Sequence, residues 1–246
     1  MQAHAEGSST TASGESSHAE GGFTKAQGKY SHAEGDQSQA NGESSHSEGQ
    51  LTVASGAYSH AEGISATASG EASHAEGNAT TASGKSSHAQ GTQTKATKDY
   101  AHAEGYKTTA SGSAAHAEGN TTSATGTASH SEGIGTIANG NYQHVQGKYN
   151  ITDTTSAFII GNGTESARSN ALAMTWDGVI TMAHNTGSLQ KAFTKASTVP
   201  ALYVSSDNLD VNVWKVTSAG GAHGYSLRYI GTGASINNNL TLYADN

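Results

Sequence analysis

Residues 57–70 read AYSHAEGISATASG, and residues 71–84 read EASHAEGNATTASG. The same 14-residue unit recurs about ten and a half times over residues 1–147. Glycine occupies every seventh position from Gly7 to Gly147, with Lys98 as the exception, and histidine occupies every fourteenth position from His4 to His144. Each unit therefore joins two half-repeats, of which one reads Ser-His-Ala-Glu-Gly and the other reads Thr-x-Ala-Ser-Gly.

Small and larger polar residues alternate within each half-repeat. Ser31 and Ala33 alternate with His32 and Glu34, which is typical of a strand that buries one face. Glycine and the two residues after it, as in residues 35–37, predict a turn that tolerates a positive φ. Two short strands and two turns per unit predict one coil of a narrow parallel β-solenoid, and coils stacked at about 4.8 Å give a rod of about 50 Å.

The composition excludes other repeat folds and an ordinary core. A coiled coil needs two large apolar residues per heptad, and collagen needs glycine at every third position. Residues 1–147 contain one Leu, three Ile, two Val, one Phe and no Trp, which excludes a conventional enzyme domain there. Backbone hydrogen bonds must therefore carry the fold, and because one roll of Ala and Ser buries little apolar surface, we expect oligomerisation.

Charge and cysteine content exclude several classes of partner. Residues 1–147 carry six Lys, no Arg and 14 acidic residues, and residues 148–246 carry six basic and six acidic groups. This pattern lacks the basic patch of a nucleic-acid-binding protein. The chain has no Cys, hence no disulfide or thiolate metal site, and no run of 18 apolar residues that predicts a membrane span. We predict no cofactor and no enzymatic activity.

The repeated [ST]-x-A-x-G pattern on a 14-residue period resembles the YadA-like head of trimeric adhesins. That resemblance covers residues 1–147 and implies a homotrimeric, left-handed parallel β-roll. The Ser-His-Ala-Glu-Gly variant, together with AFIIGNG at residues 157–163 and Thr-Trp-Asp-Gly-Val at residues 175–179, is more similar to bacteriophage tail-fibre and neck-appendage proteins of Gram-positive hosts. Adhesin heads usually offer Val or Ile where this chain has His and Glu.

The histidines and acidic residues form two parallel rows, which we predict pack against two sister chains and fix their register. The predicted inter-chain ladder comprises His18, His32, His46, His60, His74, His88, His102, His116, His130 and His144, with Glu20, Glu34, Glu48, Glu62, Glu76, Glu104, Glu118 and Glu132. Two further interpretations remain open. Three symmetry-related copies of His32, His46, His60 or His74 would ring an axial metal ion, or the row would act as a pH switch.

The outward sites of the second strand vary more along the chain, and we predict that they face solvent. They are Thr11, Lys25, Gln39, Val53, Thr67, Thr81, Lys95, Thr109, Ser123 and Ile137.

The composition changes after residue 147. We predict a β-rich neck over residues 148–187, with an apolar strand at residues 158–160 and a hairpin turn at residues 177–178. Residues 188–246 are predicted as a small β module. Its predicted elements are a short helix at residues 187–193 and strands at residues 201–204, 211–216, 225–230 and 240–243. Its aromatic residues fit either a core or a sugar-stacking surface: Tyr203, Trp214, Tyr225, Tyr229 and Tyr243.

These features predict a structural protein of a virion, in the tail or neck appendage. It would act as a rigid trimeric spacer and as an adhesin for a host-surface glycan, and flanking regions would join it to the rest of the virion. The resemblance also implies that Asn246 is a processed end or a fragment boundary, because related proteins carry a self-cleaving C-terminal chaperone. The alternatives are the head of a bacterial surface adhesin, or the non-catalytic part of a depolymerase spike.

Overall fold

The computed structural model describes residues 2–182, and this part of the chain is all-β. Each 14-residue unit contributes one five-residue strand, which begins at the histidine, and one two-residue strand. The five-residue strands are β1 (His4–Ser8), β3 (His18–Gly22), β5 (His32–Asp36), β7 (His46–Gln50), β9 (His60–Ile64), β11 (His74–Asn78), β13 (His88–Thr92), β15 (His102–Tyr106), β17 (His116–Asn120), β19 (His130–Ile134) and β21 (His144–Lys148). The two-residue strands are β2 (Thr11–Ala12), β4 (Lys25–Ala26), β6 (Gln39–Ala40), β8 (Val53–Ala54), β10 (Thr67–Ala68), β12 (Thr81–Ala82), β14 (Lys95–Ala96), β16 (Thr109–Ala110), β18 (Ser123–Ala124) and β20 (Ile137–Ala138).

The strands form two parallel sheets that advance one strand per coil. The long strands make one sheet, which three later strands extend to 14, and the short strands make a 10-stranded sheet. Partners lie 14 residues apart, so that His60 pairs with His74 and Ala61 pairs with Ala75. The chain is thus a parallel β-solenoid of about 11 turns with a 14-residue period, as the glycine and histidine spacing predicts.

Small side chains fill the space between the two sheets. Ala61 and Ala68 are fully buried, and Thr80 is equally buried on the inward side of its turn. In seven coils a serine lies three residues after the second glycine, and its hydroxyl donates a hydrogen bond to the carbonyl oxygen of that glycine, as from Ser73 Oγ to Gly70 O at 2.8 Å. The predicted inward face of Ala, Ser and Thr is therefore confirmed.

The two glycines of a coil differ in backbone conformation, which corrects the expectation that each supplies a positive φ. Gly63 has a φ of 106°, and Ser65 two residues later has a φ of 55°. Gly70, at the other corner, is not among the residues with positive φ, yet a Cβ there would lie 2.0 Å from the carbonyl oxygen of Gly84. A Cβ at Gly63 would likewise lie 2.3 Å from the carbonyl oxygen of Gly77, so both corners exclude a side chain and only the first also requires a positive φ.

A small antiparallel region follows the last coil. β22 (Ser156–Asn162) still pairs in parallel with β21, whereas β23 (Asn170–Thr175) and β24 (Ile180–Met182) continue the sheet in antiparallel fashion. Ile159 is fully buried, which fits the predicted apolar strand. Gly178, with a φ of 86°, lies in the turn between β23 and β24, so the predicted hairpin is confirmed.

The predictions for the rest of the chain lie outside the described residues. This applies to the end of the predicted neck after residue 182, to the predicted helix at residues 187–193, and to the β module and aromatic residues of 188–246. Within residues 2–182, no helix is long and apolar enough to span a membrane.

Candidate functional site

The histidines form a continuous stack along the sheet of long strands. From His18 to His130 consecutive rings lie 4.7–4.9 Å apart, centroid to centroid, with interplanar angles of 0–7°. This geometry follows from the register, because parallel strands place the same repeat position directly above itself. The last step, from His130 to His144, is tilted by 35°, and the ring of Phe158 then meets His144 edge-on at 5.3 Å.

A row of carboxylates runs beside the histidine stack, because glutamate lies two residues after histidine on the same face of the strand. His46 Nε2 lies 3.7 Å from Glu34 Oε1 in the preceding coil and 3.9 Å from Glu48 Oε2 in its own coil. Such separations are too long for hydrogen bonds. We name the two rows together the His–Glu column, and the ladder residues predicted from sequence lie in it.

The Nε2 atoms of the His–Glu column are buried within the single chain but make no hydrogen bond among the described residues. This holds for His18, His32, His46, His60, His74, His88, His102, His116, His130 and His144. Buried polar atoms in native proteins are nearly always hydrogen-bonded. The face therefore carries a regular row of unsatisfied polar atoms.

The carboxylates of the His–Glu column influence one another's protonation. The pKa of Glu34 is raised to about 7, because Glu48 and Glu20 in the neighbouring coils accept hydrogen bonds from its protonated form, and burial and the nearby negative charges add to this effect. The pKa of Glu62 is also raised to about 7, again chiefly through Glu48. Hydrogen bonds from these two carboxyls lower the pKa of Glu48 itself. Protons are thus shared along the row.

Burial is the largest cause of the altered pKa values of the histidines. It lowers the pKa of His60, and positive charge on His46 lowers it further. His74 behaves in the same way, with His60 as the like-charged neighbour. Burial thus favours the neutral form of these two imidazoles, in which a ring nitrogen offers a lone pair.

Two shallow grooves follow the carboxylate row. The first has a volume of about 730 Å³ and is lined by Glu6, Glu20, Glu34, Glu48, Glu62, Glu76 and the glycine after each of them. The second has a volume of about 810 Å³ and is lined mainly by Gln90, Glu104, Glu118, Glu132, Gln146 and Ile160. Gln90 stands where the carboxylate row would otherwise continue.

Five sets of three side chains place their ligand atoms within 4.8 Å of one another, which is close enough to hold a metal ion after small adjustments. They are Glu20–His32–Glu34, Glu34–His46–Glu48, His60–Glu62–His74, His74–Glu76–His88 and His116–Glu118–His130. The four histidines singled out from sequence as axial sites belong to these sets. Their neighbours here are carboxylates of the same chain, which the sequence-based hypothesis of a ring of three imidazoles did not include.

A third cavity was not anticipated from the sequence. It has a volume of about 390 Å³, lies beside the last coil and is lined by Asn139, Gly140, Asn141, Tyr142, Thr154 and Trp176. Tyr142 and Trp176 are among the most exposed large side chains, at 67% and 59%. Their proximity depends on the strand that returns after β22, so spacing along the sequence gives no signal for it.

Comparison with known proteins adds no identification. No family model matches the chain, and a search of curated proteins finds no match.

Proposed function

We propose that this chain is a structural, fibrous segment of a bacteriophage tail fibre or neck appendage, assembled as a homotrimer. It acts as a rigid spacer in the virion and presents the adjoining region to a glycan of the host surface. The proposed fold is the trimeric, left-handed form of the solenoid, as in YadA-like heads.

One observation carries the trimer, namely the row of buried Nε2 atoms on the His–Glu column. Each atom needs a partner that residues 2–182 of its own chain do not supply, since the carboxylates that approach it there lie 3.5–4.0 Å away. An identical face of a second chain offers acceptors at the same spacing of about 4.8 Å, because both chains share one repeat. With small rotations of the imidazole rings, packing three such faces together brings acceptors to the row and fixes the register of the chains.

The sequence resemblance supports the same proposal. Of the ten variable sites of the short strands, Thr11, Lys25 and Lys95 are exposed and the other seven are half-buried. The histidine sites, in contrast, do not vary from coil to coil. An outer surface that varies and an inner surface that repeats are expected of a homotrimer with the His–Glu column inside.

The spacer role follows from the stacking. The histidine rings advance by 4.6–5.0 Å per coil over ten steps, which amounts to about 48 Å of rod. In-register hydrogen bonds between all coils resist bending, and three chains together stiffen the rod further. Three identical ends also raise the avidity of any receptor-binding region that follows.

The proposal is tested by sedimentation equilibrium of the chain, with the expected result of a homotrimer. Replacing His46, His60, His74 and His88 together by alanine should weaken the trimer and lower its melting temperature, whereas His60→Ala alone should have a small effect. A folded monomer would overturn the trimer, and so would an unchanged melting temperature after the fourfold replacement.

The adhesive role needs a separate experiment. A glycan array probed with the trimer should show binding to a restricted set of host-surface polysaccharides. Binding of intact particles to host cells should fall when soluble trimer is added as a competitor. If neither effect is observed, the proposed adhesive role is wrong, and the proposed spacer role is unaffected.

A further inference from the structure

We propose that the His–Glu column binds divalent transition-metal ions, represented by Zn²⁺, at two sites per chain: His60–Glu62–His74 and His116–Glu118–His130. In both sets a single carboxylate lies between imidazoles of successive coils. All three ligands of each site come from one chain, so the inference does not rest on the proposed trimer; at these two sites the ion takes the place of the inter-chain hydrogen bonds proposed above.

The two sites share one geometry. Glu62 Oε2 lies 3.8 Å from His60 Nε2, and Glu62 Oε1 lies 3.9 Å from His74 Nε2. The other site repeats this arrangement, with Glu118 Oε2 at 3.9 Å from His116 Nε2 and Glu118 Oε1 at 3.6 Å from His130 Nε2. Each carboxylate therefore presents one oxygen to each imidazole.

These separations are suited to an ion between the atoms and unsuited to a direct hydrogen bond. Zinc binds histidine nitrogen and carboxylate oxygen at about 2.0–2.2 Å, so neighbouring ligand atoms in a tetrahedral site lie about 3.4 Å apart. The carboxylate therefore needs to move by a few tenths of an ångström, and the two parallel imidazoles, whose centroids lie 4.8 Å apart, need to tilt so that their Nε2 atoms come closer by about an ångström or more. Tilted neighbours already occur at the end of the stack, where His130 and His144 make an angle of 35°.

The chemistry of the donors selects the class of ion. Two imidazoles and one carboxylate form a set that zinc uses in proteins, with a fourth position left for water. Calcium and magnesium prefer oxygen ligands, and they suit this mixed set less well. A second observation, independent of the clustering, is that the four Nε2 atoms of the two sites are buried and make no hydrogen bond among the described residues.

The spacing of the two sites permits both to be filled. Four coils separate His60 from His116, which corresponds to about 19 Å. Dications at that distance repel each other weakly in a solvated groove, whereas dications in successive coils, about 5 Å apart, would repel strongly. The set that overlaps the first site is therefore expected to bind metal more weakly. The sets with a single imidazole are also expected to bind metal more weakly, because they offer one nitrogen ligand fewer.

The stoichiometry is measured by isothermal titration of the metal-free chain with ZnCl₂, and we expect two ions per chain. The pair His60→Gln and His74→Gln should reduce the number to one, and adding His116→Gln and His130→Gln should abolish saturable binding. His102→Gln is the matched control, because His102 belongs to none of the five sets, and it should leave two ions.

A variant that gains a metal site tests the proposal even if the histidine variants fail to fold. Gln90→Glu places a carboxylate between His88 and His102 and should raise the stoichiometry from two to three. Co²⁺ in place of Zn²⁺ should give the intense visible absorption of four-coordinate cobalt in the parent chain. The proposal is overturned if the chain shows no saturable binding, or if the stoichiometry stays the same in both the fourfold variant and Gln90→Glu. The oligomeric state is measured separately, so failure of this inference and failure of the trimer are distinguishable.

Discussion

The hydroxyl of Ser47 lies 2.9 Å from the hydroxyl of Thr52, between the two sheets, and both side chains are fully buried. The pair recurs six coils later, where Ser131 and Thr136 are also 2.9 Å apart. In five other coils alanine stands at the serine position, and there the threonine hydroxyl makes no hydrogen bond among the described residues. Those threonines are Thr24, Thr80, Thr94, Thr108 and Thr122.

Ala75→Ser is therefore expected to stabilise the fold. The new hydroxyl supplies Thr80 Oγ1 with the partner that Ser47 supplies to Thr52, and a buried hydrogen bond contributes about 1 kcal/mol. Ala61→Ser is the matched control. Its partner position is Ala66, so the new hydroxyl finds no side-chain partner and the free energy of unfolding should fall by about 1 kcal/mol. Chemical denaturation at fixed protein concentration measures both changes, and equal effects of the two variants would contradict the pairing.

Lys98→Gly is expected to stabilise the corner at which the glycine period is broken. In most coils the corner glycine donates to the alanine of the next coil, as from Gly70 N to Ala82 O at 3.3 Å. Among the described residues, the corresponding bonds from Gly84 and Lys98 are missing, and Lys98 carries a Cβ at a corner where the other coils have glycine.

The two recovered hydrogen bonds outweigh the flexibility that glycine adds to the unfolded chain, and the net gain should be about 1 kcal/mol. Lys98→Ala removes the charge but keeps Cβ, so it should give no such gain. A thermal melt of the two variants decides the matter. If alanine stabilises as much as glycine, the cause is the lysine charge and the explanation by close approach is wrong.

Gly28→Ala is expected to disrupt the stack. A Cβ at this position would lie 1.8 Å from Gly42 O and 2.5 Å from Gly42 C, and both atoms belong to backbone that is fixed by its own hydrogen bonds. We expect a loss of roughly 3 kcal/mol or more. Gly178→Ala is the comparison, since a Cβ there meets nothing within 4 Å and only the φ of 86° is unfavourable. That variant should lose about 1 kcal/mol. Circular dichroism melts measure both, and a smaller loss at Gly28 than at Gly178 would show that the coils can separate.

Glu34→Gln is expected to stabilise the protein increasingly as the pH rises. The folded chain keeps the Glu34 proton up to about pH 7, whereas the ordinary pKa is 4.5. The protonated carboxyl therefore supports the fold fully below pH 4.5, and this contribution is lost as the pH rises through 7. Glutamine stays uncharged, so the variant and the parent should melt alike near pH 4 and diverge in favour of the variant by pH 8.

The measurement is a series of melting curves in the presence of a chelator. Buried histidines such as His60, whose stabilising effect is lost as the pH falls below about 6.5, are present in both proteins, so their contribution cancels in the difference. Glu71→Gln serves as the control outside the His–Glu column, because Glu71 pairs with Lys85 at 3.1 Å on an exposed turn. A melting difference for Glu34→Gln that is constant from pH 5 to pH 8 would contradict the shared protonation.

Much of the solenoid could be predicted from its repeat. Alternation of small and polar residues indicated which side chains face inward, and Ala61 and Ala68 are indeed fully buried. The row of His and Glu was also predictable as a row, since a fixed period in parallel strands gives a straight line of equal residues. The atoms of a neighbouring chain or ion that contact this row were not predictable, because the repeat period carries no information about binding partners.

The sequence by itself determined the period, the two sheets and the inward face, because heptad glycines and two-residue alternation are local patterns that only a two-strand coil accommodates. The tertiary structure alone decided which glycine adopts a positive φ, where hydroxyls such as those of Ser47 and Thr52 meet, and how His60 and His74 approach Glu62. These are distances between atoms that the winding of the chain brings together. Fractions of an ångström in the stacking of coils separate a hydrogen bond from a metal site, and no count along the chain contains that information.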